Sequence, residues 1–229
     1  MKKIRLLNIT FDAEIKPYEI PAFRGAIIDK AGPGNTLFHN HLAGDAFLYK
    51  YPLIQYKTIG GKPCIICIEY GVDEIHKFFD NKNWDIKISD RWLEMKISSL
   101  NMNQFTMQVW DKKFRYNIKN WIALNQENVK KYEELESLTE KIQFLEKILT
   151  GNILSMAKGI EWEVDKPIQL NITEIHDVRP VSLKGKKLHG FNLDFTTNVF
   201  LPNHIGLGKS VSVGYGVVRQ KRERTEKPE

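Results

Sequence analysis

Residues 47–70 read FLYKYPLIQYKTIGGKPCIICIEY. Two β-rich runs, Phe47–Ile59 and Lys62–Tyr70, stand either side of Gly60-Gly61. A Gly-Gly pair between such runs supplies the positive φ that a two-residue hairpin turn needs. Working outward, residues 3–12 alternate apolar and polar and read as a strand. Pro17 to Lys30 reads as a helix that Gly32-Pro33-Gly34 terminates. Downstream of the hairpin, Gly71–Phe79 reads as a short amphipathic helix and Trp92–Met102 as a fourth strand. The order strand, helix, strand, strand, helix, strand is the ferredoxin-like unit.

The second half repeats this order less regularly. β-prone segments lie around Thr106–Trp110 and Phe114–Trp121. Asn125–Leu149 is the clearest helix, because Tyr132, Leu135, Leu138, Ile142, Leu145 and Leu149 recur at spacings of three and four. That stripe serves core packing or dimerisation. Gly151 is expected to break the helix, with Ile153–Ala157 as a further turn. Three strands follow: Ile168–Ile175, Lys187–Phe195 and Val211–Val218. The expected class is α+β, with tandem ferredoxin-like (RRM-like, βαββαβ) domains over residues 1–102 and 103–229. The charged tail, Arg219–Glu229, is expected to fray.

With 42% hydrophobic residues, the 229-residue chain can bury a substantial core. Its formal charge of +6 favours an anionic partner such as nucleic acid, without singling one out. Asp12 and Glu14 interrupt the apolar run that follows Met1, so the N-terminus reads as a strand and not as a leader. No stretch approaches the roughly 18 apolar residues that span a bilayer. A soluble, cytoplasmic protein is expected, with no membrane contact. Cys64 and Cys67 have Cys-x-x-Cys spacing, but in a strand positions i and i+3 face opposite sides. A second pair for zinc is lacking, so both read as core cysteines.

Two tracts carry chemistry. The first is Gly206-Leu207-Gly208-Lys209-Ser210-Val211-Ser212-Val213-Gly214-Tyr215-Gly216. Glycines let a backbone approach a ligand closely, and free amides in such a loop can bind phosphate oxygens. The loop is not a Walker motif, and it precedes a strand where a dinucleotide fingerprint precedes a helix. The second is Leu37-Phe38-His39-Asn40-His41, followed by Tyr49-Lys50-Tyr51 and, further on, Lys57.

The doubled Gly-apolar-Gly resembles the C-terminal glycine-rich loop of the CRISPR-associated RAMP superfamily, specifically the endoribonucleases that cut CRISPR repeat RNA. Those proteins carry two ferredoxin-like domains in tandem. The histidine tract resembles their subtype I-B branch, which has paired histidines just after the first helix. The resemblance implies catalytic roles for His39, His41, Tyr49 and Lys30. Tyr51 also fits the neighbourhood of Tyr49, and Lys30 rests on position alone. It implies RNA contact through Gly206, Gly208, Lys209, Gly214 and Gly216. Lys50 and Lys57 flank the second strand as cations for phosphate, as do Lys112, Lys113 and Arg115, and Lys184, Lys186 and Lys187, elsewhere.

The chemistry has its own rationale. RNA is cut when its 2′-OH attacks the adjacent phosphate. A catalyst removes that proton, protonates the leaving 5′-oxygen and stabilises the phosphorane. Histidine suits both transfers because its ordinary pKa lies near 6.5. Tyrosine can orient the 2′-OH and lysine can offset phosphate charge. Which histidine is acid and which is base stays open. No metal site or other cofactor is expected: a His-x-His-x-Asp-His motif would need Asp and His where Ala43 and Gly44 stand. A two-histidine phosphoesterase is excluded too, since none of the six histidines has Ser or Thr two residues later. The expected function is therefore a metal-independent endoribonuclease acting on precursor CRISPR RNA. The alternatives are a non-catalytic RNA-binding subunit of an interference complex, or a small-molecule enzyme that uses the same loop. Expected partners are CRISPR repeat RNA and interference-complex proteins, with the chain as monomer or homodimer.

Overall fold

A computed structural model describes residues 1–32, 36–39, 51–183 and 185–221. It opens with β1 (Lys2–Phe11), then a 3-10 turn at Pro17–Glu19, α1 (Ile20–Ala31) and α2 (Thr36–His39). The hairpin follows as β2 (Ile54–Ile59) and β3 (Lys62–Ile68). Gly60 and Gly61 turn it at φ 60° and 80°. Next come α3 (Tyr70–Glu74) and α4 (His76–Phe79), then β4 (Ile86–Ile88), β5 (Arg91–Leu93) and β6 (Ile97–Met107). The first sheet has the order β2-β3-β1-β6, the ferredoxin-like arrangement expected from the hairpin. β1 pairs antiparallel with β3 from Leu6↔Ile68 to Thr10↔Cys64, and β2 with β3 from Ile54↔Cys67 to Ile59↔Lys62.

Period-2 alternation explains why these segments are strands. Leu7, Ile9 and Phe11 enter a core with Phe23 and Ile27 of α1, Tyr56 of β2 and Phe78 of α4. Ring pairs lock it edge to face: Phe11–Phe23 at 6.4 Å, Phe11–Phe78 at 6.2 Å and Phe23–Tyr56 at 5.8 Å between centroids. Each such pair contributes about 0.5–1.5 kcal/mol beyond its buried area. The alternate positions are buried as well: Leu6, Gln55, Lys57, Cys64 and Ile66 are at most 3% exposed. Both cysteines are free and buried. Cys67 belongs to the helix-side core, while Cys64 donates to Asn8 Oδ1 at 2.8 Å on the other face.

Several expected boundaries move. α1 starts at Ile20 because Pro17 sits in a separate 3-10 turn. It stops at Gly32, whose φ is 94° and whose N–H donates to Ile28 O at 3.0 Å. The strand expected over Phe47–Ile59 is a strand from Ile54; residues 47–50 lie outside the described ones. The Gly71–Phe79 helix is two single turns, and the expected fourth strand is the small β4-β5 hairpin followed by β6.

The second sheet contains β7 (Val109–Trp121), β8 (Leu170–Leu183), β9 (Lys186–Val199) and β10 (Val217–Gln220), with α5 (Gln126–Glu134) and α6 (Leu138–Gly159) between β7 and β8. Its order, β10-β7-β9-β8, is the same ferredoxin-like pattern. A loop with a 3-10 turn at Val211–Val213 replaces the second helix, so the strand expected over Val211–Val218 shortens to β10. The single helix expected over Asn125–Leu149 is two. Leu135 is extended (ψ 129°), and Ser137 and Glu140 form a reciprocal capping box that restarts the chain as α6. Gly151 does not break α6, which burial of Leu149, Ile153, Met156 and Ala157 carries through to Gly159.

Contacts divide the chain into two compact units. The first comprises Met1–Thr106, Ser155–Glu163 and Ser210–Gly214. The second comprises Met107–Leu154, Val164–Lys209 and the chain from Tyr215 on. No helix of the described residues is long and apolar enough to cross a membrane.

Candidate nucleic-acid interface

In the first unit, the end of α1 and the short α2 lie against each other. Lys30 is in the last turn of α1 and half-buried. Asn81 Nδ2 donates to Lys30 O at 3.0 Å and so satisfies a terminal carbonyl of the helix. Leu37 packs on the core and Phe38 is 1% exposed within it, which fixes α2 and thereby the backbone of His39, the next residue. The His39 side chain, His41, Tyr49 and Lys50 lie outside the described residues, as does Lys184. Tyr51 is described and is 8% exposed. It packs against Gly159, where an added Cβ would sit 2.4 Å from Tyr51 Cβ.

The glycine loop is built for close approach of its own backbone. Gly206 bridges Val217, and Leu207 N–H donates to Gly216 O at 2.9 Å. Gly216 has φ 62°, and a Cβ there would meet Leu207 O at 1.8 Å. Gly208 (φ 93°) lies against Trp121, and Gly214 (φ 87°) lies against Ile20. These three glycines are thus required by internal packing. Gly216 N–H donates to Asn120 O, Gly214 N–H to Val211 O and Lys209 N–H to Ile122 O. The amides of Gly208, Ser210 and Ser212 find no acceptor among the described residues. Ser210 is left-handed at φ 57°. Lys209 is exposed. Three unfilled amides, two serine hydroxyls and one lysine are donors suited to phosphate oxygens.

Lys57 corrects an expectation. It stands in the middle of β2, 0% exposed, and Nζ has no hydrogen-bond partner among the described residues. Burial lowers its pKa to about 7, with Cys64 a smaller opposing influence. Burial likewise pushes the Cys64 thiol up to about 11. A wholly buried amine cannot reach a phosphate at the surface. On the other face of the same strand, the Tyr56 hydroxyl is buried without a hydrogen-bond partner among the described residues, and burial raises its pKa.

The second unit holds a polar network that the sequence did not reveal. Asp194 of β9 is buried and accepts from Asn117 Nδ2 at 2.9 Å, from Lys221 Nζ and from His176 Nε2 at 3.0 Å. His176 Nδ1 lies 3.2 Å from Glu174 Oε1. Burial favours the neutral acid at Asp194, but the hydrogen bonds from Lys221, His176 and Asn117 prevail and hold its pKa low. The hydrogen bond to Asp194 raises the His176 pKa. The Glu174, His176 and Asp194 ligand atoms lie within 4.8 Å of one another, a donor set that suits a divalent cation. Each imidazole nitrogen already faces a carboxylate and Lys221 occupies Asp194, so the set is satisfied as an ion-pair network. A bulge in the β8–β9 register, between Ile172 and Glu174, puts these side chains together, and that bulge is invisible to strict alternation.

Comparison with known proteins agrees with this architecture. The family model described as the Cas6b N-terminal domain matches residues 2–106, and the one described as the Cas6b C-terminal domain matches residues 108–221. An uncharacterized protein of Methanocaldococcus jannaschii is 42% identical over 103 residues, covering 45% of this chain and 69% of that protein. A crystal structure of Cas6b superimposes with a TM-score of 0.88 at 26% identity, covering 96% of this chain and 100% of that one. A second, described as the CRISPR RNA processing endoribonuclease Cas6b, gives 0.74 at 25% identity over the same shares. With both halves of the family matched in sequence order and the tandem sheets superimposed, the chain belongs to the Cas6b family.

Proposed function

We propose that this protein is a metal-independent endoribonuclease that cuts precursor CRISPR RNA within its repeats. One observation carries the reading: both halves of the chain match the family whose solved member is described as a CRISPR RNA processing endoribonuclease. In the proposed reaction the 2′-oxygen bonds to the adjacent phosphorus and the bond from phosphorus to the 5′-oxygen breaks. His39 and His41 share the two proton transfers, one taking the 2′-OH proton and the other giving a proton to the leaving 5′-oxygen. Tyr49 orients the 2′-OH, and Lys30, in the last turn of α1, offsets charge on the phosphorane. The products are a 2′,3′-cyclic phosphate and a 5′-OH. No step calls for a Lewis acid, because the nucleophile is already part of the substrate. The loop from Gly206 and Gly208 through Lys209 to Gly214 and Gly216, with Lys50, holds the strand. Interference-complex proteins are the proposed recipients of the cut RNA.

The test is cleavage of repeat RNA in EDTA. Cutting at one position, with a 2′,3′-cyclic end, is expected. His39→Ala or His41→Ala should slow it by about 10²–10⁴-fold, and a single 2′-deoxy substitution at the cut should abolish it. Binding of a correct repeat without cleavage would instead make the protein a non-catalytic RNA-binding subunit. Continued cutting of the 2′-deoxy substrate would refute the mechanism while leaving the nuclease.

A further inference from the structure

The outer face of the second sheet carries its charges unevenly. In β7, Tyr116 and Ile118 turn into the core, so Arg115, Asn117 and Lys119 share the opposite face. In β10, Val218 is buried against Ile118, and Arg219 stands beside Asn117 on the outer face. Arg115, Lys119 and Arg219 are exposed, and none makes an ion pair or a side-chain hydrogen bond with a described residue. No acidic residue occurs from Arg115 to Lys119 or from Val217 to Lys221. The acids of this face lie on the other two strands and are answered there. Asp194 of β9 is held by Lys221, His176 and Asn117, and Asp177 of β8 by Arg179 and Asn192. Positive charge is left over along β7 and β10. That row starts at the glycine loop: Gly206 bridges Val217, the partner of Lys119, and Lys209 N–H donates to Ile122 O at 3.3 Å.

We propose that single-stranded RNA held by the glycine loop continues along β7 and β10, with successive phosphates on Lys119, Arg219 and Arg115. The inference rests on the RNA-processing reading above and extends it from the loop to a sheet face. Charge selects the partner, because three cations with no acid among them suit a polyanion. Geometry selects a single strand. Outward residues two apart on a strand are about 6.6 Å from each other, a step close to that between neighbouring phosphates of an extended chain. Such a row follows one backbone, whereas a duplex is met across its minor groove on both strands. The row ends at Lys221, which is bound to Asp194. It also reads no sequence. Asn117, the one amide within it, donates through Nδ2 to Leu193 O at 3.3 Å and to Asp194 Oδ1 at 2.9 Å. The contacts therefore fix the path of the strand and leave base identity free.

The test is titration with repeat RNA carrying a 2′-deoxy at the cut, which reads affinity apart from cutting. Arg115→Ala, Lys119→Ala and Arg219→Ala together should weaken binding at least about tenfold and flatten the log–log salt slope by about 2, the share of three released counterions. Lys119→Ala alone, a single surface change, should flatten it by about 0.7. Arg115→Lys, Lys119→Arg and Arg219→Lys together keep the charge and should keep the affinity. Lys130→Ala, Lys147→Ala and Lys158→Ala, at three exposed lysines of α5 and α6, remove the same net charge and should leave affinity nearly unchanged. Unchanged binding by the first set, or equal weakening by both alanine sets, overturns the proposal while leaving an RNA-binding protein. Equal weakening on a fully paired duplex overturns the single-strand assignment. A parent protein that binds no repeat RNA refutes the RNA-processing reading and this inference with it.

Discussion

Lys57 places an amine where neither solvent nor a partner among the described residues satisfies it. Its pKa falls from 10.5 to about 7 because burial disfavours the charged form. Between those values the unfolded chain holds a proton at this site that the folded chain lacks, so stability rises with pH across that window. The slope is at most about 1.4 kcal/mol per pH unit. Above 10.5 both states are neutral, and below about 7 both are charged and the cost is constant. Lys57→Met keeps the packing and removes the titration. It should gain on the order of 3 kcal/mol at pH 7 and lose the extra pH slope. Urea melts of both proteins at pH 7 and pH 8.5 check this; equal slopes would contradict the buried neutral amine. Alternation in the sequence correctly put Cys64 and Cys67 on opposite faces. It misread Lys57, because alternation assigns a polar position to the second face of a sheet and does not say whether that face meets water. Here Leu6, Gln55, Cys64 and Ile66 show that it does not. The histidine tract was read by residue type alone; among the described residues, α2 with Phe38 in the core is what ties it to the fold.

Elements were legible where one periodicity ruled and illegible where a short local signal overrode it. The apolar stripe from Tyr132 to Leu149 keeps helical spacing across the α5–α6 break, so spacing alone fuses two helices. The signal that separates them was present: Ser137-Leu138-Thr139-Glu140 is a capping box before an apolar run, and Asn125 caps α5 by accepting from Asn128 N–H at 2.7 Å. Gly151 shows the reverse error. A mid-helix glycine costs about 1 kcal/mol relative to alanine, far less than the burial of Leu145, Leu149, Ile153 and Met156 on the same helix returns. A Cβ at Gly151 would meet nothing within 4 Å. Gly151→Ala should therefore stabilise by about 0.5–1 kcal/mol. At the far end of α6, Gly159→Ala would drive a Cβ to 2.4 Å from Tyr51 Cβ and should destabilise by more than about 1 kcal/mol. Thermal melts of the two variants should move in opposite directions, and a shared direction would mean that helix propensity does not govern α6.

At the scale of the molecule, the sequence conveyed a repeat and the structure shows what the repeat leaves out. Both sheets share one strand order, yet the second exchanges its second helix for the loop that carries the glycines. Under the proposed function, that exchange separates two tasks along the chain. Lys209 lies 168 residues beyond His41, and the loop offers amides, hydroxyls and one lysine but no acid or base near neutrality. Affinity and cutting should therefore be separable by mutation. Lys209→Ala removes one of the proposed phosphate contacts. It should weaken binding of single-stranded repeat RNA roughly three- to tenfold and flatten the log–log salt slope by about 0.7, the share of one released counterion. Its cleavage rate constant at saturating RNA should stay within about twofold of the parent, because a contact made equally in the ground and transition states lowers affinity and not turnover. His39→Ala should behave oppositely, binding as tightly while cutting slowly. Titrations at several salt concentrations, paired with single-turnover cleavage, distinguish the two. A Lys209→Ala protein that binds normally but cuts slowly would move the lysine from holding the strand to the reaction itself.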